Sequence, residues 1–86
     1  MVRKYKHENG KVSLEVHKEG GKLHRKGNPA WIKYHKNGTV AIEKYYQEGQ
    51  LHRLNDPAWI EYDSQGNLRY VGWYTYDTAK QYKIYP

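Results

Sequence analysis

The side chains best suited to chemistry are five histidines and thirteen Trp and Tyr rings. Imidazoles on neighbouring strands can converge on a metal ion, and His17, His24 and His35 are the candidates for such a site. However, the sequence has no Cys, no His-x-His pair and no obvious triad of carboxylates. A second copy of the surrounding motif keeps only His52 of this set, so the motif does not carry metal ligands with it. We therefore predict no metal and no cofactor.

Catalytic constellations are also missing from the sequence. There is no Ser-His-Asp order, no glycine-rich loop that could hold phosphates, and no pair of carboxylates among the apolar positions. The lack of Cys excludes a disulfide framework, a thiolate zinc site and a Cys nucleophile. We predict that the protein is not an enzyme.

The strongest pattern is an internal repeat. The stretch LHRKGNPAWIKY at residues 23–34 returns as LHRLNDPAWIEY at residues 51–62, a shift of 28. Further matches upstream, such as Asn9-Gly10 with Asn37-Gly38, continue the same shift. Stacked copies of a short motif bury a face that one copy cannot bury alone, which favours a structural reason for the repetition. We predict one domain, residues 1–86, with about three copies: 1–21 (partial), 22–49 and 50–77, followed by a C-terminal extension at 78–86.

Within a copy, apolar residues alternate with polar ones, which indicates β-strands. A three-residue loop, Lys36-Asn37-Gly38, would place Tyr34 opposite Val40 and Ile32 opposite Ile42, so that the apolar residues share one face. The expected fold is all-β: a single antiparallel β-meander of about three 28-residue repeats, stacked as hairpins in an open sheet.

Two further connections complete the expected copy. A two-residue turn at Glu48-Gly49 would place Leu51 opposite Tyr46. The segments 25–29 and 53–57 are wider turns, because Pro suits the first residue of a strand. The C-terminal extension is either one more strand or a strap across the sheet.

The motif resembles the short tandem repeats of the form G-x-L-H-R-x-x-G-P-A-x-x-x-Y-x-x-x-G, which are similar to divergent MORN-type repeats of bacteria, bacteriophages and large DNA viruses. The resemblance covers about residues 7–77 and departs where Asn28 and Asp56 stand in place of the Gly before Pro. It implies an open single-layer sheet used for binding, with proteins or anionic lipids as partners. It also implies a narrower function, a small phage-type inhibitor of a bacterial nucleic-acid enzyme or defence complex.

The expected register leaves aromatic, imidazole and amine side chains on the opposite face. Exposed Trp and Tyr on a flat sheet are typical of interfaces, although the same rings could form the second half of a small core. His24 and His52 are alternatively expected to hydrogen-bond the wide turns, with Arg25 and Arg53 on a carbonyl or, for Arg53, on Asp56. The candidate binding residues are Trp31, Lys33, His35, Tyr45, His52, Trp59, Trp73 and His24.

The charge distribution leads to two functional hypotheses. Residues 1–44 contain eleven Lys and Arg against four Asp and Glu, whereas residues 45–86 contain four against five. The first hypothesis is a protein-binding module that contacts an acidic partner surface. The alternative is direct binding of nucleic acid or a nucleotide, with cations on phosphates and rings on bases.

Two expectations concern assembly and location. The unpaired sheet edges leave open a homodimer through the first or last strand. No apolar run is long enough to span a membrane and no signal-peptide core follows Met1, so we expect a cytoplasmic protein, in the host cytoplasm if it is phage-encoded.

Overall fold

The computed structural model describes residues 1–86 and contains only β-strands, turns and connecting segments. No helix long and apolar enough to cross a membrane is present. The ten strands are β1 (Val2–Lys6), β2 (Val12–Glu19), β3 (Lys22–Leu23), β4 (Trp31–Tyr34), β5 (Val40–Lys44), β6 (Tyr46–Gln47), β7 (Gln50–Leu51), β8 (Trp59–Tyr62), β9 (Leu68–Thr75) and β10 (Thr78–Ile84).

The strands form an open antiparallel sheet in the order β1-β2-β4-β5-β8-β9-β10, with β3 paired to β2 and a separate β6–β7 hairpin. The molecule measures 38 × 36 × 16 Å, so one dimension is that of a single layer. The predicted all-β fold and open antiparallel meander are confirmed.

Three long hairpins have the same geometry at intervals of 28 residues. Their closing pairs are Lys6 with Val12, Tyr34 with Val40, and Tyr62 with Leu68. In the middle hairpin the His35 N–H donates to Thr39 O (2.8 Å) and the Gly38 N–H donates to His35 O (2.9 Å). Gly38 has φ 93°, a left-handed conformation that glycine adopts without strain. The predicted three-residue loop is confirmed.

The predicted pairing of Ile32 with Ile42 is wrong. Tyr34 pairs with Val40 as expected, but Lys33 pairs with Ile42 and Ile32 pairs with Glu43. Ala41 is an extra residue, a β-bulge, and the same shift interrupts the other two long hairpins. Because side chains alternate with a period of two, one extra residue moves every later side chain to the other face.

The bulges divide the side chains between two faces in a way that simple alternation does not predict. The aromatic face carries Arg3, Tyr5, Leu14, Val16, Lys18, Trp31, Lys33, Ile42, Lys44, Trp59, Glu61, Tyr70, Gly72, Tyr74, Tyr82 and Ile84. The packed face carries Lys4, Glu15, His17, Ala30, Ile32, Tyr34, Glu43, Tyr45, Ala58, Ile60, Tyr62, Val71, Trp73 and Lys83.

The short turns match their prediction. Tyr46 pairs with Leu51 across Glu48-Gly49, whose φ values of 52° and 82° are both positive, as a type I′ turn requires. A similar turn at Tyr76-Asp77 leads into β10, which pairs along β9. The extension is therefore mainly a strand and not a strap.

Apolar burial is limited and lies mostly on the packed face. Ala30 and Ala58 are fully buried, and Ile32 and Val71 are nearly so. No large side chain is fully buried. The fold therefore depends strongly on its backbone ladder and on polar contacts between hairpins.

Candidate functional site: an aromatic and basic sheet face

The centre of the aromatic face is a row of three side chains on three adjacent strands. Trp31 on β4 pairs with Lys44 on β5, which pairs with Trp59 on β8. The Lys44 ammonium lies 4.5 Å from the centroid of the Trp31 ring and 4.0 Å from that of Trp59. Both distances are within cation–π range, so one cation contacts a ring face of each indole.

Tyrosines continue the row towards β10. The Trp59 ring meets Tyr70 edge-on at 5.8 Å and lies near Tyr74 at 6.2 Å, while Tyr70 and Tyr82 are 6.3 Å apart. Gly72 lies opposite Trp59, and a Cβ there would come within 2.7 Å of the Tyr70 hydroxyl. The missing side chain therefore gives the Tyr rings room to cover the backbone.

The environment of the row changes the acidity of two groups. Burial lowers the pKa of Lys44 below its ordinary value, and the nearby Glu61 carboxylate acts in the opposite direction. Burial, together with the neighbouring Tyr74, raises the pKa of Tyr70 to about 12. At neutral pH the Tyr70 hydroxyl thus stays neutral.

At the N-terminal end the face is more aliphatic and more basic. A shallow hollow of about 330 Å³ is lined by Tyr5, Leu14, Val16, Lys18, Leu23 and Trp31. The charged residues of the whole face are four cations (Arg3, Lys18, Lys33 and Lys44) and one anion (Glu61).

The packed face carries a polar network that links β2 to the first wide turn. His17 Nε2 lies 2.6 Å from Glu15 Oε2, and the Tyr34 hydroxyl donates to Glu15 Oε1 (3.3 Å). Arg25 Nη1 donates to Pro29 O (3.3 Å) and lies 3.9 Å from Glu15 Oε2. Burial alone would raise the pKa of Glu15, but the hydrogen bonds and the charge of His17 outweigh it and lower that pKa.

The second wide turn has matching contacts. The Tyr62 hydroxyl donates to Glu43 Oε1 (3.1 Å), and Arg53 Nη1 donates to Pro57 O (3.2 Å). The Arg53 guanidinium lies over the Tyr45 ring at 3.9 Å. The Arg–carbonyl contacts are as predicted, and Arg53 also lies 3.9 Å from Asp56.

His24 and His52 join one hairpin to the next. His24 Nδ1 accepts from the Glu48 N–H (3.0 Å), and His52 Nδ1 accepts from the Tyr76 N–H (3.2 Å). His52 is only 8% exposed and stacks on the Tyr76 ring at 4.0 Å. The expectation that both imidazoles bond the wide turns is wrong, because each bonds a residue of a two-residue turn 24 positions further along.

The hairpin loops form a similar ladder. His7 Nε2 donates to Tyr34 O and His35 Nε2 donates to Tyr62 O, both at 3.0 Å. The Asn37 amide donates to Ser64 O (2.9 Å), just as Asn9 donates to the next loop. The repeated His and Asn side chains therefore hold neighbouring hairpins together.

The structure separates the predicted binding residues into three places. Trp31, Lys33 and Trp59 share the aromatic face, whereas Tyr45 and Trp73 lie on the packed face. His24, His35 and His52 lie in the contacts between hairpins. The expected single face is wrong because each bulge exchanges the faces partway along a hairpin.

Four residues of the aromatic row were missed: Lys44, Tyr70, Tyr74 and Tyr82. Simple alternation from Leu68 places Tyr70 on the other face, because it does not account for the bulge between these two residues. The signal that could have found Lys44 is its register position between the two Trp, which needs the bulge to be known.

No group of three or more His, Asp or Glu side chains is placed to hold a metal ion. No protein-family model, curated protein or solved structure matches the chain.

Proposed function

We propose that the protein is a non-catalytic binding module that contacts a protein partner with an acidic surface through its aromatic face. The observation that carries the proposal is the Trp31–Lys44–Trp59 row, set on the aromatic face of a single-layer sheet.

Exposure supports an interface on this face. Tyr82 is 66% exposed, Ile84 69% and Tyr5 49%, while the rings between them are half-buried. Trp, Tyr and Arg make most of the strong contacts in protein interfaces. The strands that carry these rings belong to one sheet, in a molecule whose smallest extent is 16 Å.

Charge supports an acidic partner. Of the four cations of the face, Lys44 lies within the aromatic row and the other three lie on β1, β2 and β4. The anion Glu61 accepts a hydrogen bond from the Trp59 indole N–H at its Oε2 (2.8 Å). Complementary charge steers association and disfavours wrong partners.

The use of the ring faces favours protein over nucleic acid. A base that stacks needs an open ring face, and the Lys44 ammonium already contacts one face of each indole. A protein partner can instead use ring edges and Tyr hydroxyls without displacing this cation.

The test is capture from nuclease-treated bacterial lysate by the wild type and by Lys33→Glu, with Lys36→Glu as control. Lys33 is exposed at the middle of the aromatic face, whereas Lys36 is exposed in a hairpin loop. We expect one protein to be retained by the wild type and by Lys36→Glu but lost with Lys33→Glu. Equal retention by all three proteins would refute the assignment of the face.

Nucleic-acid binding is the second candidate, because the same face combines cations with aromatic rings. Short single- and double-stranded DNA and RNA would be titrated at about 50 and 200 mM salt while Trp emission is followed. Quenching that weakens steeply with salt, and that is lost in Lys33→Glu, would favour this candidate over the protein partner.

Inhibition of a bacterial nucleic-acid enzyme or defence complex is a narrower proposal, and it rests on the MORN-type resemblance. It is tested by identifying the captured protein and measuring its activity with and without this chain.

A further inference from the structure

A groove of about 510 Å³ runs between the two wide turns. Its lining includes Arg25 and Lys26 of the first wide turn, Arg53 of the second with the adjoining His52, and Tyr45. This volume is within the range of about 300–1,000 Å³ that small-molecule sites have. The groove is separate from the aromatic face, because Arg25, Tyr45 and Arg53 belong to the polar networks of the packed face.

The charge of the lining has one sign. Its ten residues include three permanent cations, Arg25, Lys26 and Arg53, and no Asp or Glu. Carboxylates lie outside the lining, with Glu15 at 3.9 Å from Arg25 and Asp56 at 3.9 Å from Arg53. Lys26 makes no ion pair with any carboxylate.

Hydrogen bonds fix the position of both guanidinium groups but use only some of their N–H donors. In each, Nη1 donates to a Pro carbonyl, Pro29 for Arg25 and Pro57 for Arg53. The Arg53 guanidinium carbon lies 3.9 Å from the centroid of the Tyr45 ring. The hydrogen bonds of both arginines use Nη1 alone, and Arg53 Nη2 faces Asp56 Oδ2 at 3.9 Å without bonding it. An oriented guanidinium fork with unused donors suits a phosphate group.

We propose that this groove binds the phosphate group of a small phosphate ester, with Arg25, Lys26 and Arg53 as its ligands. The cations supply charge and free donors from both sides of the groove. A phosphate group carries oxygen acceptors enough for contacts with both wide turns.

The test is a titration of the ¹⁵N-labelled protein followed by amide and guanidinium NMR signals. The ligands are inorganic phosphate, pyrophosphate and adenosine monophosphate, each at constant ionic strength. We expect saturable shifts at residues of both wide turns, and tighter binding of adenosine monophosphate than of phosphate if the natural ligand is a nucleotide. Tighter binding of pyrophosphate would instead assign the site to a non-nucleotide polyphosphate ester.

Two variants with a matched control decide the assignment. Lys26→Gln removes an exposed cation that has no partner in the fold, and Arg53→Lys keeps the charge but removes the fork. Each should weaken phosphate binding about fivefold to tenfold, whereas Lys36→Gln, in a hairpin loop outside the groove, should not change it.

No saturable shift at about 10 mM of any of the three ligands would overturn the proposal, since a site weaker than this has no useful affinity. Equal weakening by Lys36→Gln would also overturn it, because binding would then follow total charge. Lys33→Glu should leave phosphate binding unchanged, so this site and the aromatic face can fail independently.

Discussion

The contacts between hairpins repeat along the chain, whereas most positions of the aromatic face do not. Between hairpins, the same side chain makes the same bond at an interval of 28 residues: His24 and His52 each accept from a turn N–H, and Arg25 and Arg53 each donate to a Pro carbonyl. On the aromatic face Trp31 and Trp59 are a repeated pair, but other equivalent positions differ, such as Val16, Lys44 and Gly72.

This difference separates architecture from recognition. The repeated His and Arg positions hold each hairpin on its neighbour and bond backbone groups that a single-layer sheet exposes. Positions that vary give the face a basic, aliphatic end at β1 and β2 and an aromatic end at β9 and β10. We infer that the variable positions determine which partner is bound.

Gly38→Val should have the largest effect on stability among the repeated positions. A β-branched residue at φ 93° is strained, and we expect a loss of about 2–3 kcal/mol in the free energy of unfolding measured with urea. Open space around Gly38 makes the cost conformational, because its nearest neighbour is the Lys11 side chain at 3.6 Å. Gly38→Asn, which tolerates this conformation, is the control and should cost less; equal losses would contradict the loop geometry.

His52→Ala should lower stability by about 1–3 kcal/mol, since it removes a nearly buried acceptor and its stacking on Tyr76. His24→Ala removes the same hydrogen bond at a more exposed site, where the side chain is 21% exposed, and should cost less. Thermal unfolding of the two variants measures the difference. A larger loss of stability for His24→Ala would contradict the stronger contribution assigned to the His52 contact.

Glu15 should make the packed face sensitive to acid. The pKa of Glu15 in the folded protein is below its ordinary value. The ionised carboxylate therefore stabilises the fold at pH values above the ordinary pKa, and this stabilisation is lost as the pH falls through the folded pKa. The urea concentration at the unfolding midpoint should therefore decrease as the pH is lowered from about 5 to about 3. The decrease should be smaller in Glu15→Gln. Glu8→Gln, in an exposed hairpin loop, is the control and should follow the wild type. An identical pH profile for Glu15→Gln would show that the network contributes nothing.

Lys33→Glu should have the smallest effect on stability. The Lys33 side chain is exposed on the aromatic face and makes no hydrogen bond or ion pair. The free energy of unfolding should therefore change by no more than about 0.5 kcal/mol. Urea unfolding checks this. A loss as large as that of His52→Ala would place Lys33 among the structural positions.

Much of the fold can be predicted from the sequence because its determinants are local. The Asn-Gly and Glu-Gly pairs specify turns, and the alternation of apolar residues indicates strands. The three-residue loop and the Tyr46–Leu51 pair are both found as predicted. The bulges were not predictable from alternation, since Ala41 carries no signal that distinguishes an extra residue from a paired one.

The bulges explain why the candidate site was only partly predicted. Trp31, Lys33 and Trp59 were identified because they lie on the same side of the bulge. Lys44 and Tyr70 lie beyond the bulges of their hairpins, so simple alternation places both on the wrong face. The imidazoles of His24 and His52 looked like binding groups, because their partners are backbone N–H groups that no sequence pattern reveals.

The most direct test of the central claim measures thermal unfolding and protein capture on the same two variants. For Lys33→Glu, we predict an unchanged Tm and loss of the captured protein. For His24→Ala, we predict a lowered Tm and retained capture well below that temperature. The account would be contradicted if Lys33→Glu still captured the protein while folded His24→Ala did not. The repeated contacts between hairpins would then be the binding site.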